Sequence, residues 1–222
     1  MNTKLQQAIT CIEESNFEKA AVLFMEIIEE QPNDPVGYIN FGNLLFHMND
    51  MERAQRFFEK AIQLDAHAAT AYYGLGNLYY EQSLYKEAQE NFQKAIEFGL
   101  VEADVYYLLG MTLQQQEHYK LALPYLLRAT ELAPEDTEIL FQYGLSLAQI
   151  QLINDAEQIF QKVLAIQKEH SDAYYNLGVI ALYREQLEKA LHYFDEALRI
   201  QPEHVLALNG KKRTTALLND AK

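Results

Sequence analysis

An all-α fold, built as a solenoid of stacked helix hairpins, is predicted by three features of the sequence. Gly42, Gly76, Gly110, Gly144 and Gly178 follow one another at intervals of 34 residues, each inside a segment that otherwise reads as amphipathic helix. Alanine recurs at the same interval as Ala20, Ala54, Ala88, Ala122, Ala156 and Ala190. Four places further on comes a large apolar residue: Phe24, Phe58, Phe92, Leu126, Phe160 and Phe194. A glycine inside a helix costs about 1 kcal/mol relative to alanine, so five in one phase imply a shared packing need. Self-similarity at such a period marks a stacked array.

The repeat divides the chain into six blocks without insertion, 1–34, 35–68, 69–102, 103–136, 137–170 and 171–204, followed by 205–222. Within a block, positions 4, 7, 8 and 11 fall on one face of a helix at 100° per residue, and positions 17, 20, 24 and 27 on one face of a second. Neither helix can bury its apolar stripe alone, so the blocks must stack.

In the first block Lys4, Gln7, Ala8 and Cys11 replace the aromatic, leucine, glycine and large apolar residues of the others, as suits an end unit with a neighbour on one side only. Ser15-Asn16 and Asn49-Asp50 are polar breaks suited to capping second helices. Asp34-Pro35 and Ser171 are start signals for first helices. Gly99 fits a left-handed helix C-terminus. Pro124 falls inside the second helix of the fourth block, where a lost N–H predicts a bend between Leu121 and Tyr125 on the outer wall. Residues 205–218 begin like a seventh first helix with Leu208 at position 4. They then set Lys211, Lys212 and Thr215 where a core should be, which predicts a solvating cap helix and a basic tail.

Thirty-two acids against 18 Lys and Arg give a net charge of −14, which repels nucleic-acid phosphates and anionic lipid surfaces. No signal segment or membrane span is legible, and the single cysteine, Cys11, can form no internal disulfide. A cytoplasmic protein is expected. The six histidines are scattered, with no metal-ligand spacing and no catalytic set. The reading is therefore non-enzymatic, with no metal and no cofactor.

The pattern resembles the tetratricopeptide repeat family. Tyr72, Leu75, Gly76, Tyr79, Ala88, Phe92 and Ala95 stand at that family's aromatic, leucine, glycine, tyrosine, alanine, aromatic and alanine positions, and Pro32, Pro134 and Pro202 match its closing proline. The resemblance covers residues 1–204. It implies a right-handed superhelix of six helix-turn-helix units, closed here by the C-terminal cap.

Positions 2, 5, 9, 12 and 13 of each first helix point away from the core, toward what a stack of hairpins makes a concave groove. Position 5 supplies an aromatic row, Tyr73, Tyr107, Phe141 and Tyr175, joined by Tyr80 at position 12. Aromatic side chains offer large contact area at low entropic cost. Position 2 supplies Asp104, Glu138 and Asp172, an acidic margin extended by Glu81. Across all six blocks these positions carry no Lys or Arg. Asn43 and Asn77 lie at position 9 and Asn40 and Asn176 at position 6, where carboxamides can both donate to and accept from a peptide backbone. The resemblance gives Asn40 and Asn176 that role.

The expected function is a scaffold or adaptor that binds a partner segment with apolar and basic side chains. The alternative is weak self-association, in which the tail, with Lys211, Lys212, Arg213 and Lys222 against Asp220, docks in a neighbour's groove. RNA binding lacks the groove cations that phosphates require.

Overall fold

The computed structural model describes residues 3–220, so Met1, Asn2 and Lys222, which entered the readings of the two ends, lie outside the described residues. Among the described residues there are thirteen α-helices and no strand. The chain forms two compact units, Met1–Gln116 and Glu117–Lys222. The first contains α1 (Thr3–Glu13), α2 (Phe17–Glu30), α3 (Pro35–His47), α4 (Met51–Leu64), α5 (Ala69–Glu81), α6 (Tyr85–Glu97) and α7 (Ala103–Gln115). The second contains α8 (Tyr119–Leu132), α9 (Thr137–Gln149), α10 (Ile153–Ile166), α11 (Ser171–Tyr183), α12 (Leu187–Ile200) and α13 (Val205–Asp220). Within each unit every helix packs on its neighbours in the chain.

The hairpin turns share one construction that composition only half disclosed. Ser15, Asn49, Ser83, Glu117, Gln151 and Glu185, all at position 15 of their blocks, have φ between +57° and +67°. A side chain in the left-handed region costs about 1–2 kcal/mol, and what offsets it is closure of the helix end. The next residue's N–H reaches back five residues, as in Asn16 to the Cys11 carbonyl at 2.7 Å, Asp50 to Leu45 at 2.8 Å and Gln186 to Ala181 at 2.9 Å. This is the six-to-one bond of a Schellman ending. Gly99, at φ +97°, ends α6 in the same way, with the Leu100 N–H on the Ala95 carbonyl at 2.9 Å.

Helix starts follow the sequence in part. The Asp34 carboxylate accepts from the Val36 N–H, and Asn16 and Asp50 cap α2 and α4. For α11 the cap is His170, whose Nδ1 accepts from the Ala173 N–H at 3.2 Å. Ser171, expected as the start signal, is the first helical residue, and its hydroxyl donates to Gln201 Oε1 at 2.9 Å. His204 caps α13 through Nδ1 on the Ala207 N–H. The missed signal is the block position: His170 and His204 stand where Asp34 and Asp136 stand in other blocks.

The core is built around the position-24 residues. Phe24, Phe58, Phe92, Phe160 and Phe194 are fully buried, each contributing about 1.5–3 kcal/mol. The glycine ladder exists to admit these rings. A Cβ on Gly42 would stand 2.8 Å from Phe58, on Gly76 2.5 Å from Phe92, on Gly144 2.8 Å from Phe160 and on Gly178 2.6 Å from Phe194. A second set of glycines closes two of the rings from the following hairpin, Gly74 at 2.5 Å from Phe58 and Gly210 at 2.6 Å from Phe194.

The end elements are explained by what they pack on. In α1, Ala8 and Cys11 are buried, while the Lys4 ammonium spans α2 to Glu26 at 2.7 Å and Glu30 at 2.6 Å, which pushes its pKa up to about 12. Helix α8 continues through Pro124, which is exposed. Helix α13 turns a different face inward from the one its first-helix register suggested. Ala207 and Gly210 meet α12, Thr214 is buried, Lys211 pairs with Asp195 at 2.7 Å, and Leu208, Lys212 and Thr215 are exposed.

Candidate functional site

The candidate residues sit on the first helices of the hairpins, and the two units present them differently. In the first unit Asn40 and Asn43 lie on α3, Tyr73, Asn77, Tyr80 and Glu81 on α5, and Asp104 and Tyr107 on α7. Tyr73 is half-buried, its ring 6.0 Å from that of Phe92. Burial pushes the Tyr73 phenol up, against a hydrogen bond with Asn77 that lowers it. Asn77 is half-buried, and its Oδ1 is buried without a hydrogen-bond partner among the described residues. The packing thus leaves one buried acceptor of α5 unsatisfied. Tyr80 meets Tyr85 edge to face at 5.7 Å, and burial raises its phenol pKa as well. Tyr107 is half-buried, and Asn43, Glu81 and Asp104 are exposed.

Position 6 has a local role in both units. Asn40 Nδ2 donates to the Val36 carbonyl and Asn176 Nδ2 to the Asp172 carbonyl, each at 2.8 Å. Each carboxamide therefore has one donor turned back on its own helix. Its oxygen is left to accept.

In the second unit the aromatic row is partly withdrawn. Phe141, expected as an exposed rung, is only 8% exposed, because its ring is held between Phe160 at 5.6 Å and His170 at 4.8 Å. Tyr175 is seated in the same way on Phe194 at 6.0 Å and His204 at 5.2 Å, yet remains half-buried. The capping histidines thus roof the row, which a reading of first helices by themselves could not show. The acidic margin is engaged too. Glu138 accepts from Gln142 Nε2 at 2.9 Å, and Asp172 lies 3.0 Å from His204 Nε2. Since Nδ1 of His204 accepts a backbone N–H, the neutral ring carries its proton on Nε2 and donates to Asp172.

The open apolar surface of this unit lies beside those residues. A concavity of about 290 Å³ is lined by Leu145 and Ala148 of α9 and by Asn176, Val179, Ile180 and Tyr183 of α11, among others. Tyr183 is 69% exposed and Val179 40%. A second concavity of about 270 Å³ lies between α11 and α13, with Val179 common to both. The aromatic at Tyr183 is visible in the sequence as a position-13 residue. Val179 is likewise a groove residue there, at position 9, but the extent of its exposure is a property of the packing.

The chemistry offered is contact area, carboxamides and carboxylates. Among the described residues no group of three His, Cys, Asp or Glu side chains could hold a metal ion, and no helix is long and apolar enough to cross a membrane.

Models of the tetratricopeptide repeat match residues 35–100 and 68–135, 107–170, and 171–204. The crystal structure of YrrB, described as a TPR protein with an unusual peptide-binding site, is 48% identical, with a TM-score of 0.82 over 85% of this chain and 97% of that one. Among curated proteins, the TPR repeat-containing protein YrrB of Bacillus subtilis (strain 168) is 48% identical over 41 residues, 18% of this chain and 20% of the relative's length. The structure of pilF from Pseudomonas aeruginosa has a TM-score of 0.81 at 17% identity over 96% of each chain, a likeness of fold.

Proposed function

The chain belongs to the tetratricopeptide repeat family, and from that premise we propose that it is a non-enzymatic scaffold whose first-helix face binds a peptide segment of a partner protein. The observation that carries this is the apolar concavity on α9 and α11, where Val179 and Tyr183 are exposed beside the Asn176 carboxamide. An exposed tyrosine beside an apolar hollow gains about 25 cal/mol for each Å² that a partner removes from water, and the carboxamide oxygen can accept from the partner's backbone. The peptide-binding site ascribed to YrrB, 48% identical, supports the same reading.

The partner segment carries apolar side chains for the hollow and basic ones for Glu138 and Asp172, the acidic margin of the same unit. The first unit offers a face of its own, with Tyr73, Tyr80 and Tyr107 as its aromatic residues and Asn40, Asn43, Asn77, Glu81 and Asp104 around them. Phe141 supports the face from beneath. A cytoplasmic location suits an acidic chain with one buried cysteine. Self-association through the C-terminal segment is the weaker reading, for that segment is helix packed on α12 and its Lys211 already pairs with Asp195.

The test is selection of phage-displayed random dodecapeptides on the full chain. Selected peptides are then measured by fluorescence anisotropy against the parent and against the double variant Val179→Ser, Tyr183→Ser. The variant should bind at least tenfold more weakly while keeping the parent's circular dichroism. Equal affinity would remove this face from the site.

A further inference from the structure

The six blocks carry no cation on their groove positions, but α13 brings one. Arg213 lines the concavity between α11 and α13, and Asn209 lines it one helical turn earlier, so the two project from the same side of the helix. Both are exposed. The other five arginines, Arg53, Arg56, Arg128, Arg184 and Arg199, are each in an ion pair with a carboxylate. Among the described residues Arg213 has no such partner.

Its surroundings are apolar: Val179 and Leu182 of α11 and Leu206 of α13 line the same hollow. A guanidinium offers a planar fork of donors that matches a carboxylate, and a carboxamide NH₂ one turn away can add a further hydrogen bond. Beside an apolar wall such a charge-assisted pair is screened less than at an open surface. A polyanion is disfavoured, because Asp172 and Glu138 belong to the same unit and the chain as a whole carries −14.

We propose that the α11–α13 cleft is an acid-selecting subsite, in which Arg213 and Asn209 bind the side-chain carboxylate of an Asp or Glu while a neighbouring apolar residue of the same peptide fills the hollow at Val179, Leu182 and Leu206. This rests on the peptide-binding reading above and sets a specificity that reading lacks. The bound segment is basic where it crosses the acidic margin and acidic where it meets α13. Val179 borders both hollows. First helices lie roughly 10 Å apart, and an extended chain advances about 3.3 Å per residue. The peptide's two apolar anchors should therefore be about three residues apart.

The experiment runs the dodecapeptide selection in parallel on the full parent chain and on Arg213→Glu. Peptides chosen by the parent should be enriched in Asp or Glu beside an apolar residue, and those chosen by Arg213→Glu should lose that enrichment and gain Lys or Arg at the same place. A selected peptide, synthesised with an amidated C-terminus so that only its side chain supplies the carboxylate, should lose at least tenfold in affinity for the parent when its acid is changed to the amide. The same change should cost less than twofold with Arg213→Gln. Acidic enrichment that survives Arg213→Glu, selection without acidic enrichment, or an acid-to-amide ratio unchanged by Arg213→Gln would overturn the subsite and leave the peptide-binding face standing. Failure of the parent to select any peptide would overturn both.

Discussion

Gly178→Ala sets two physical effects of opposite sign against each other. Helix propensity favours alanine by about 0.8–1.0 kcal/mol, so in a loosely packed helix the substitution would stabilise. Here the added Cβ would lie 2.6 Å from Cε1 of Phe194, 2.7 Å from Cδ1 and 3.1 Å from Cζ. Carbon atoms are comfortable at about 3.5–4.0 Å, so the ring would have to recede by about 1 Å. It has nowhere to go: on α13 the place of a Gly210 Cβ is already 2.6 Å from the same ring's Cζ, and Phe194 is fully buried. Overpacking a closed core costs about 1–3 kcal/mol. With both sides of the ring occupied, the upper half of that range applies, and the net expectation is a loss of about 1–2 kcal/mol.

The assay is urea unfolding followed by circular dichroism, with hydrogen exchange of the α11, α12 and α13 amides read alongside, since a repeat array need not unfold in one step. A double-mutant cycle with Phe194→Leu isolates the clash. In the leucine background Gly178→Ala should become neutral or stabilising. A single substitution that stabilises by about 1 kcal/mol, or one that has the same effect in both backgrounds, would refute the account of the ladder.

Three other substitutions probe the core, a hairpin turn and an ion pair. Phe92→Ala, at a fully buried ring beneath Tyr73, should cost about 3–5 kcal/mol in denaturant titration; a variant that unfolds like its parent would contradict the core assignment. Glu185→Gly, at φ +57°, should raise stability by about 0.5–1 kcal/mol, because relief of a left-handed side chain outweighs the glycine's greater unfolded-state entropy; a thermal midpoint below the parent's would show the turn is unstrained. Glu157 is held below the usual carboxylate range. Desolvation opposes ionisation there, but hydrogen bonds from Arg184 and Lys189 outweigh it. A depressed folded-state pKa stabilises fully above the unfolded glutamate pKa of about 4.3 and is lost as the pH falls below it. Glu157→Gln should therefore flatten the acid limb of stability against pH, and an unchanged limb would refute the pairing.

The sequence by itself determined the helices, their phase and the residues that make the core, because a 34-residue period repeated six times leaves a single helical register in which alanine, glycine and phenylalanine recur together. It also found the polar turns, though not that position 15 is left-handed in every block, since Ser, Asn, Glu and Gln there share no side-chain signature for φ. Only the tertiary structure decided which outward residues are open. His170 and His204, while capping α11 and α13, also roof Phe141 and Tyr175, which removes Phe141 from the surface, and no property of first helices alone foretells a ring arriving from a loop. The same packing exposes Val179 and Tyr183. At the C-terminus, Gly210 seats α13 on Phe194 with Ala207 and Thr214 inward, which sets Arg213, at position 9 of this seventh first helix, beside the apolar residues of α11. Periodicity fixes which way a side chain leaves its helix, but whether it then meets solvent depends on what the neighbouring elements bring to the same place.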